Sequence, residues 1–430
     1  MFIENTYIII YILLWAITLW YQCKHRKNFD STCILVSSYL FYGINSIILF
    51  NSHEYGHYYY GLTLFPFLFL FTIMYATARP IFKFDPLHVT QIQQPSTHLL
   101  DTICVIFIIT TFLNIPNIVS NIHLLSDIMS NAETGVDLYQ DHVLNSSSLK
   151  NIGSGISSLS SIISNVLCKI NILFFFYKLT QKNKNKFIIY GLLICFIIYI
   201  LKHLFTGQRG GSFNMISSLV ITYFALKTFI SKNINIKIKR YGIIALIIVC
   251  IPYYYLTYSR HGNKEGGVTA DLYTYVGQNN LNFNLYALDD NGIRYGDRCI
   301  PIIKKILGFD NVPNNFWERR QKYPHLKIND EVFYTYVGDF TIDFGPVLGA
   351  LILIFIGLFT SSKTKTRNNV ILFHQLILLH LIMCICMEGG MSLFTFADTG
   401  NLVIFTYFLL YIIFKIDYFH QIQKLNSKPN

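Results

Sequence analysis

The sequence predicts an all-α polytopic membrane protein with about 11 transmembrane helices and a large outer loop, and three observations predict it. The chain is 53% hydrophobic and only 13% charged, with a mean hydropathy of +0.42, whereas a soluble domain carries roughly 25% charged residues. Its apolar residues gather in runs of about 20, the length a helix needs to cross a bilayer. Its Lys and Arg concentrate in alternate connections between those runs, as the positive-inside rule requires of a multi-pass chain. A secreted or freely soluble protein is excluded on these grounds.

Taken in order, the runs cover approximately residues 5–23, 31–50, 58–78, 99–119, 156–178, 187–206, 211–230, 241–258, 337–360, 370–387 and 399–416. The first connection holds Lys24, Arg26 and Lys27, the third Arg79 and Lys83, and the fifth Lys182, Lys184 and Lys186. The seventh holds Lys232, Lys237, Lys239 and Arg240, and the ninth Lys363, Lys365 and Arg367. The even connections are poor in basic residues or acidic: Glu54 in the second, Asp127, Glu133, Asp137 and Asp141 in the fourth, Glu388 and Asp398 in the tenth. The odd connections are therefore expected in the cytoplasm, with the N-terminus outside and the C-terminus inside. The fourth and fifth runs are the least regular, because they carry Asp101 and Lys169.

This topology makes residues 1–430 a single integral membrane domain and puts 259–336 outside, as a large loop between the eighth and ninth spans. A connection this long is functional or disordered far more often than a mere link. Its aromatic residues and the apolar stretch from Ile300 to Leu307 predict a folded cover. A second outer loop, more acidic, is expected at 120–155. The net charge of +11 follows from the cytoplasmic connections and implies no nucleic-acid partner. The nine cysteines have neither disulfide-framework nor metal-site spacing. Glu4 in place of a basic leader start, with Lys24 to Lys27 after the first run, argues against a cleavable signal peptide.

Five local patterns bear on chemistry. His53-Glu54-Tyr55-Gly56-His57 matches HExxH, which on a helix presents two zinc ligands and a general base. Here it lies in a short connection with a glycine inside it, so an interfacial turn is the simpler reading. Gly207-Gln208-Arg209-Gly210-Gly211 puts an arginine on the outer side, against the charge rule. Glycines let a bulky anion approach there, and the guanidinium offers a planar fork to phosphate oxygens. A snorkelling arginine beside a flexible turn is the bland alternative. Tyr258-Ser259-Arg260-His261-Gly262 repeats the arrangement at the end of the eighth run, beside an aromatic belt. Trp317, Arg319, Arg320 and Lys322 form a basic aromatic cluster that is either a solvated face or a contact for anionic headgroups or glycan. His325 follows it, and His261 and His325 are the outer-loop candidates for general-base work. Asp343-Phe344-Gly345 lacks every companion motif of a kinase. Lys264 and Arg294 carry no motif and read as plain loop charges.

From Lys202 to Gly357 the chain resembles the O-antigen polymerases (Wzy-type), also called oligosaccharide repeat unit polymerases. The residues that carry the resemblance are Gly207-Gln208-Arg209-Gly210, Tyr258-Ser259-Arg260, the aromatic loop start at Tyr273, Tyr275 and Gly277, then Thr335-Tyr336-Val337-Gly338-Asp339-Phe340 and Asp343-Phe344-Gly345-Pro346-Val347-Leu348-Gly349. The remaining runs match only in number and hydropathy. The resemblance implies a metal-independent glycosyltransferase of a bacterial plasma membrane that builds O-antigen of lipopolysaccharide or a similar surface polysaccharide, with no cofactor. Its substrates would be undecaprenyl-diphosphate-linked glycans, and a chain-length regulator protein would be a fitting partner. Arg209 and Arg260 are carried over as the catalytic arginines. Gln208, Gly210, Tyr273, Tyr275, Trp317, Arg319, Arg320, Tyr336, Asp339 and Asp343 are the expected sugar and phosphate contacts. Three alternatives stay open: a lipid-linked glycan ligase, an oligosaccharide flippase, and a membrane zinc protease built on His53 and His57.

Overall fold

A computed structural model of the chain describes residues 2–26, 28–119, 156–205, 209–261, 267–328, 332–391 and 397–426. The described chain is an all-α bundle. Its helices are α1 (Phe2–Arg26), α2 (Ser31–Phe50), α3 (Leu64–Thr77), α4 (Arg79–Lys83), α5 (Thr97–Phe112), α6 (Ile115–Val119), α7 (Ile156–Thr180), α8 (Lys186–Phe205) and α9 (Arg209–Leu226). They continue as α10 (Lys232–His261), α11 (Gly267–Tyr286), α12 (Pro301–Ile306), α13 (Phe316–Lys322), α14 (Thr335–Phe344), α15 (Pro346–Lys363), α16 (Phe373–Glu388) and α17 (Ala397–Asn426). Six segments, Phe2–Arg26, Ser31–Phe50, Leu159–Thr180, Lys186–Leu204, Pro346–Lys363 and Asp398–Lys424, are long and apolar enough to cross a membrane. Four shorter apolar helices, Leu64–Thr77, Thr97–Phe112, Gly210–Leu226 and Phe373–Glu388, stand among them. A two-residue parallel pair, β1 (Gln91–Ile92) with β2 (Val370–Ile371), joins two connections, in the register Gln91↔Val370 and Ile92↔Ile371.

The connections sort to the two ends of the bundle by parity. At one end Arg26 bonds Asp30 and the carbonyls of Phe82 and Phe84. There too Thr32 reaches Ile81 O at 3.0 Å, Lys227 caps Phe29 O, and Ser96 N donates to Asp417 at 2.8 Å. Lys178 pairs with Asp101 at this end, which cancels the charge that makes the fourth apolar run irregular. At the opposite end Asn5 bonds Asn51 at 3.0 Å, Glu4 accepts from Gly61 N at 2.7 Å, Asn114 bonds Ser164, and Lys305 pairs with Asp398 at 2.6 Å. This second end holds the segment 259–336 and is called the loop end below.

Lipid-like solvent is written into the burial pattern. In α16 every residue except Gln375 is buried, so this helix is the bundle's centre. Helices around it turn large apolar side chains outward at helical spacing: Ile9, Leu13, Ile17 and Trp20 on α1; Tyr190, Leu193, Ile197 and Leu201 on α8; Leu348, Leu351, Phe355 and Leu358 on α15. Along α10, about 45 Å long at 1.5 Å per residue, Ile243, Ile247, Ile251, Tyr254 and Tyr258 are exposed.

Two elements depart from the sequence reading. The ninth apolar run, expected as one helix over 337–360, breaks at Gly345, whose φ of 83° is open to glycine and strained for other residues. Pro346 then opens α15 at a position where its missing N–H costs nothing. The other departure is α11, a 20-residue helix inside the 259–336 segment, where the sequence showed aromatic residues but no apolar run. The acidic stretch at 120–155 lies outside the described residues.

Candidate functional site

Helix ends meet at the loop end. Helix α9 starts at Arg209, and α10 ends at His261. Tyr253 of α10 donates its hydroxyl to Ser212 Oγ of α9, about one turn inside Arg209 and about two turns before Arg260. The backbones of Arg209 and Arg260 therefore belong to neighbouring helix ends. The side chains of Arg209, Arg260 and His261, and the whole of Gln208, lie outside the described residues.

Helix α11 joins this place. A Cβ on Gly210 would lie 3.6 Å from Tyr275 Oη. Tyr275 stands edge-on to Phe333, with ring centroids 4.9 Å apart, and Tyr273 donates to Glu54 at 3.3 Å. Alongside the buried Val276, Leu281 and Phe283, much of what holds α11 is polar. Its asparagines are buried, and each finds a partner: Asn279 with Gly390 O, Asn280 with Ser46 at 3.0 Å, Asn282 with Phe333 O at 3.0 Å, and Asn284 with both N and O of Thr63. Such groups cost stability when left unsatisfied, so the set fixes one position for the helix. Gly277 permits the approach, since a Cβ there would sit 2.5 Å from Asn45 O.

Below the start of α9 a polar column descends between α7, α8, α9, α16 and α17. Lys202 donates to Asn165 at 3.3 Å, and His203 stands edge-on to Tyr199 at 4.7 Å. Lower down, Lys169 pairs with Glu388, which also accepts from Ser218 at 2.5 Å. Then Thr222 contacts His380 Nε2 at 2.8 Å and Tyr407 contacts its Nδ1 at 2.8 Å. Glu388 is fully buried. Charges kept inside a bundle at this cost are rare and generally serve function. The sequence offered Lys169 as an irregularity in its apolar run and Glu388 as an ordinary connection residue, with nothing to join them.

The segment 287–344 is built on a second ion cluster. Arg294 Nε lies 2.7 Å from Asp343, its Nη2 3.7 Å from Asp339, and Nη1 donates to Tyr334 Oη at 3.0 Å. Arg298 Nε lies 2.5 Å from Asp339. The second oxygen of Asp343 takes the N–H groups of Arg298 and Cys299 at 3.0 and 2.7 Å. Asp339, Asp343 and Tyr336, expected as sugar contacts, are all fully or almost fully buried. The two aspartates neutralise arginines, and Tyr336 is packed with its N–H on Gly389 O at 2.8 Å. Arg294, expected to be a plain loop charge, is 1% exposed and the hub of this cluster.

Trp317, Arg319 and Arg320 share α13. Arg319 is buried and Arg320 exposed. His325 is exposed, its ring against Tyr323 and against the open backbone at Gly292. Below them Asp297 accepts from Lys304, from Lys322 at 2.7 Å and from Tyr323 at 2.8 Å. Burial opposes its charge, but these three donors prevail and hold its pKa below the ordinary aspartate value.

The HExxH segment is not helical in the required way. Turn geometry covers 53–55, and a 3₁₀ turn follows at Gly56–Tyr59, so His53 and His57 do not stand on successive turns of an α-helix. Glu54 is engaged by Tyr273, His57 stacks on Tyr58, and Gly56 is pressed against Phe50 O. Among the described residues no three His, Cys, Asp or Glu side chains are grouped to hold a metal ion. Compared with protein-family models, curated proteins and solved structures, the chain has no significant match.

Proposed function

We propose that this chain polymerises lipid-linked oligosaccharide repeat units as a metal-independent glycosyltransferase. The observation that carries the reading is the tie between Tyr253 and Ser212, which makes neighbours of the helix ends bearing Arg209 and Arg260. The resemblance to the O-antigen polymerases rests on those same two arginines. In the proposed reaction a hydroxyl of the acceptor unit attacks the anomeric carbon of the donor glycan. The new glycosidic bond forms as the bond to the polyprenyl diphosphate breaks, the hydroxyl proton passes to a base, and the diphosphate leaves with its electron pair. Arg209 and Arg260 would stabilise the charge that develops on it. Tyr273 and Tyr275 would offer ring faces to the sugars.

The reading includes an orientation. The basic connections gather at the end opposite 259–336, and that end would face the cytoplasm of a bacterial plasma membrane. The chain would cross that membrane about 11 times, with its N-terminus and the 259–336 segment outside. Lipid-linked glycan would then meet the arginines on the outer side, where no nucleotide sugar is needed.

The Lys169–Glu388 pair favours a second reading, transport of the lipid-linked glycan, since charge within spans is what a flippase path requires. A deletion strain separates the classes. Surface glycan reduced to one repeat unit supports polymerisation. Full-length polymer left unattached means ligation, and absence of any surface glycan with repeat units retained inside means transport.

A further inference from the structure

The first turns of α10, at the basic end of the bundle, carry charge that the protein leaves unanswered. Lys232, Lys237, Lys239 and Arg240 stand there, all exposed. None of the four makes a side-chain hydrogen bond or an ion pair with a described residue. From 142 to 264 the chain has no Asp or Glu, so the helices just before α10 offer no acid either. The carboxylates at the basic end are taken: Asp30 by Arg26, Asp85 by His88, Asp101 by Lys178, and Asp417 by Ser96 N and Gln421. Acidic residues outside the described ones fall in 120–155, 262–266 and 329–331, stretches whose described flanks are at the loop end. Lysines of the loop end are answered, by contrast: Lys304 and Lys322 by Asp297, Lys305 by Asp398, Lys327 by Asp289. Lys227, just before α10, feels the excess. Burial first, and then the like charge of Lys239, push its pKa down against the pull of Asp30. One turn further along α10, Tyr241, Ile243, Ile244 and Ile247 are exposed, so the four cations stand where the helix enters the apolar layer. Charge at that height meets lipid phosphate.

We propose that the basic start of α10 binds anionic phospholipid headgroups of the surrounding leaflet, whose phosphates supply the counter-charge that the protein withholds. The bound lipid also seats the helix. At this end Asn235 donates to the carbonyls of Lys227 and Ile230, both at 2.9 Å, while the side chains around it face outward. Helix α10 bears Arg260 near its far end, so on the polymerase reading the lipid helps to position that site. The binding itself does not depend on that reading.

The test is native mass spectrometry of the full-length protein in detergent, with dioleoyl phosphatidylglycerol and dioleoyl phosphatidylcholine at equal concentration. Phosphatidylglycerol should be retained in preference to phosphatidylcholine, whose phosphate is balanced by its own choline. Each Lys or Arg beside an anionic surface contributes roughly fivefold. Lys237→Gln, Lys239→Gln and Arg240→Gln together should therefore weaken phosphatidylglycerol by at least roughly tenfold. The three residues are exposed, so the fold survives the change, and Lys237→Arg with Lys239→Arg should keep wild-type retention. Lys182→Gln, Lys184→Gln and Lys186→Gln, between α7 and α8, remove as much charge and should leave most of the binding. Phosphatidylglycerol retained no better than phosphatidylcholine overturns the proposal. So does retention unchanged in the α10 triple variant, and so does equal loss in both triple variants, which would make the effect one of net charge. Because no polymer is measured, failure here leaves the polymerase reading standing, and a protein inactive as a polymerase can still bind the lipid.

Discussion

Tyr253 gives its hydroxyl hydrogen to Ser212, and that bond makes neighbours of two helix ends that each carry an arginine. Neither arginine is near the other in sequence. What unites them is a contact between a tyrosine and a serine buried in otherwise apolar helices. The tie also sets a geometry: α10 is largely bare along its length, so its loop-end position depends on few contacts besides this one and those to α11.

The ion cluster around Arg294 predicts a stability effect in place of a silent surface change. Removing one member of a buried pair strands the other, at about 3–5 kcal/mol. Arg294→Ala should therefore lower the amount of folded protein in detergent, read by fluorescence-detected size exclusion. Arg294→Lys, which keeps a cation beside Asp343 and Asp339, should recover part of it. Wild-type stability in Arg294→Ala would show that the cluster contributes nothing.

Lys169 and Glu388 predict the same logic inside the bundle. Lys169→Met alone leaves Glu388 buried without its cation, and Glu388→Gln alone leaves the ammonium without its anion. Each single variant should melt earlier than wild type in a thermal shift measured in nanodiscs, while the double variant lies closer to wild type. Additive losses in the double would rule out a coupled pair.

How much of this was legible in the sequence depends on distance along the chain. The helices follow from local hydropathy, and their alternation follows from charge in the short connections, so both could be read directly. The break at Gly345-Pro346 was written in two adjacent residues, yet the flanking apolar pattern masked it. Helix α11 was hidden because four of its buried residues are asparagines, whose burial makes sense only once Ser46, Thr63 and Phe333 are beside them. Asp339 and Asp343 looked like sugar ligands because their partners Arg294 and Arg298 lie more than 40 positions away. Nothing local announces such a pairing.

Acid should loosen the loop segment in a defined window. Asp297 has a folded-state pKa below its ordinary value of 3.8, so the unfolded state binds more protons at low pH. Its contribution is fully present above the ordinary value and is lost as pH falls through the lowered one. Limited proteolysis of 287–344 should accelerate below about pH 4, and Asp297→Asn should cleave fast already at neutral pH. An acid profile identical in Asp297→Asn and wild type would contradict this.

Orientation predicts which cysteines an impermeant thiol reagent can reach. Ser231→Cys and Thr366→Cys, at exposed positions of the basic end, should stay unlabelled in intact spheroplasts and react after permeabilisation. Phe309→Cys, 57% exposed in the loop segment, should react in both. The reverse pattern would invert the molecule and remove the outer site.

The central claim is that Arg209 and Arg260 stabilise a leaving diphosphate, and polymer length measures it most directly. A fixed donor aimed at developing charge contributes about 3–4 kcal/mol, roughly a hundred- to thousand-fold in rate. Arg209→Ala and Arg260→Ala should each abolish or nearly abolish long polymer on a gel at matched protein level. The Arg→Lys variants should keep a fraction at best, because lysine retains charge without the fork. Lys264→Ala, a loop charge without a motif, should give the wild-type ladder. Normal long polymer from both Ala variants at matched expression would contradict the assignment.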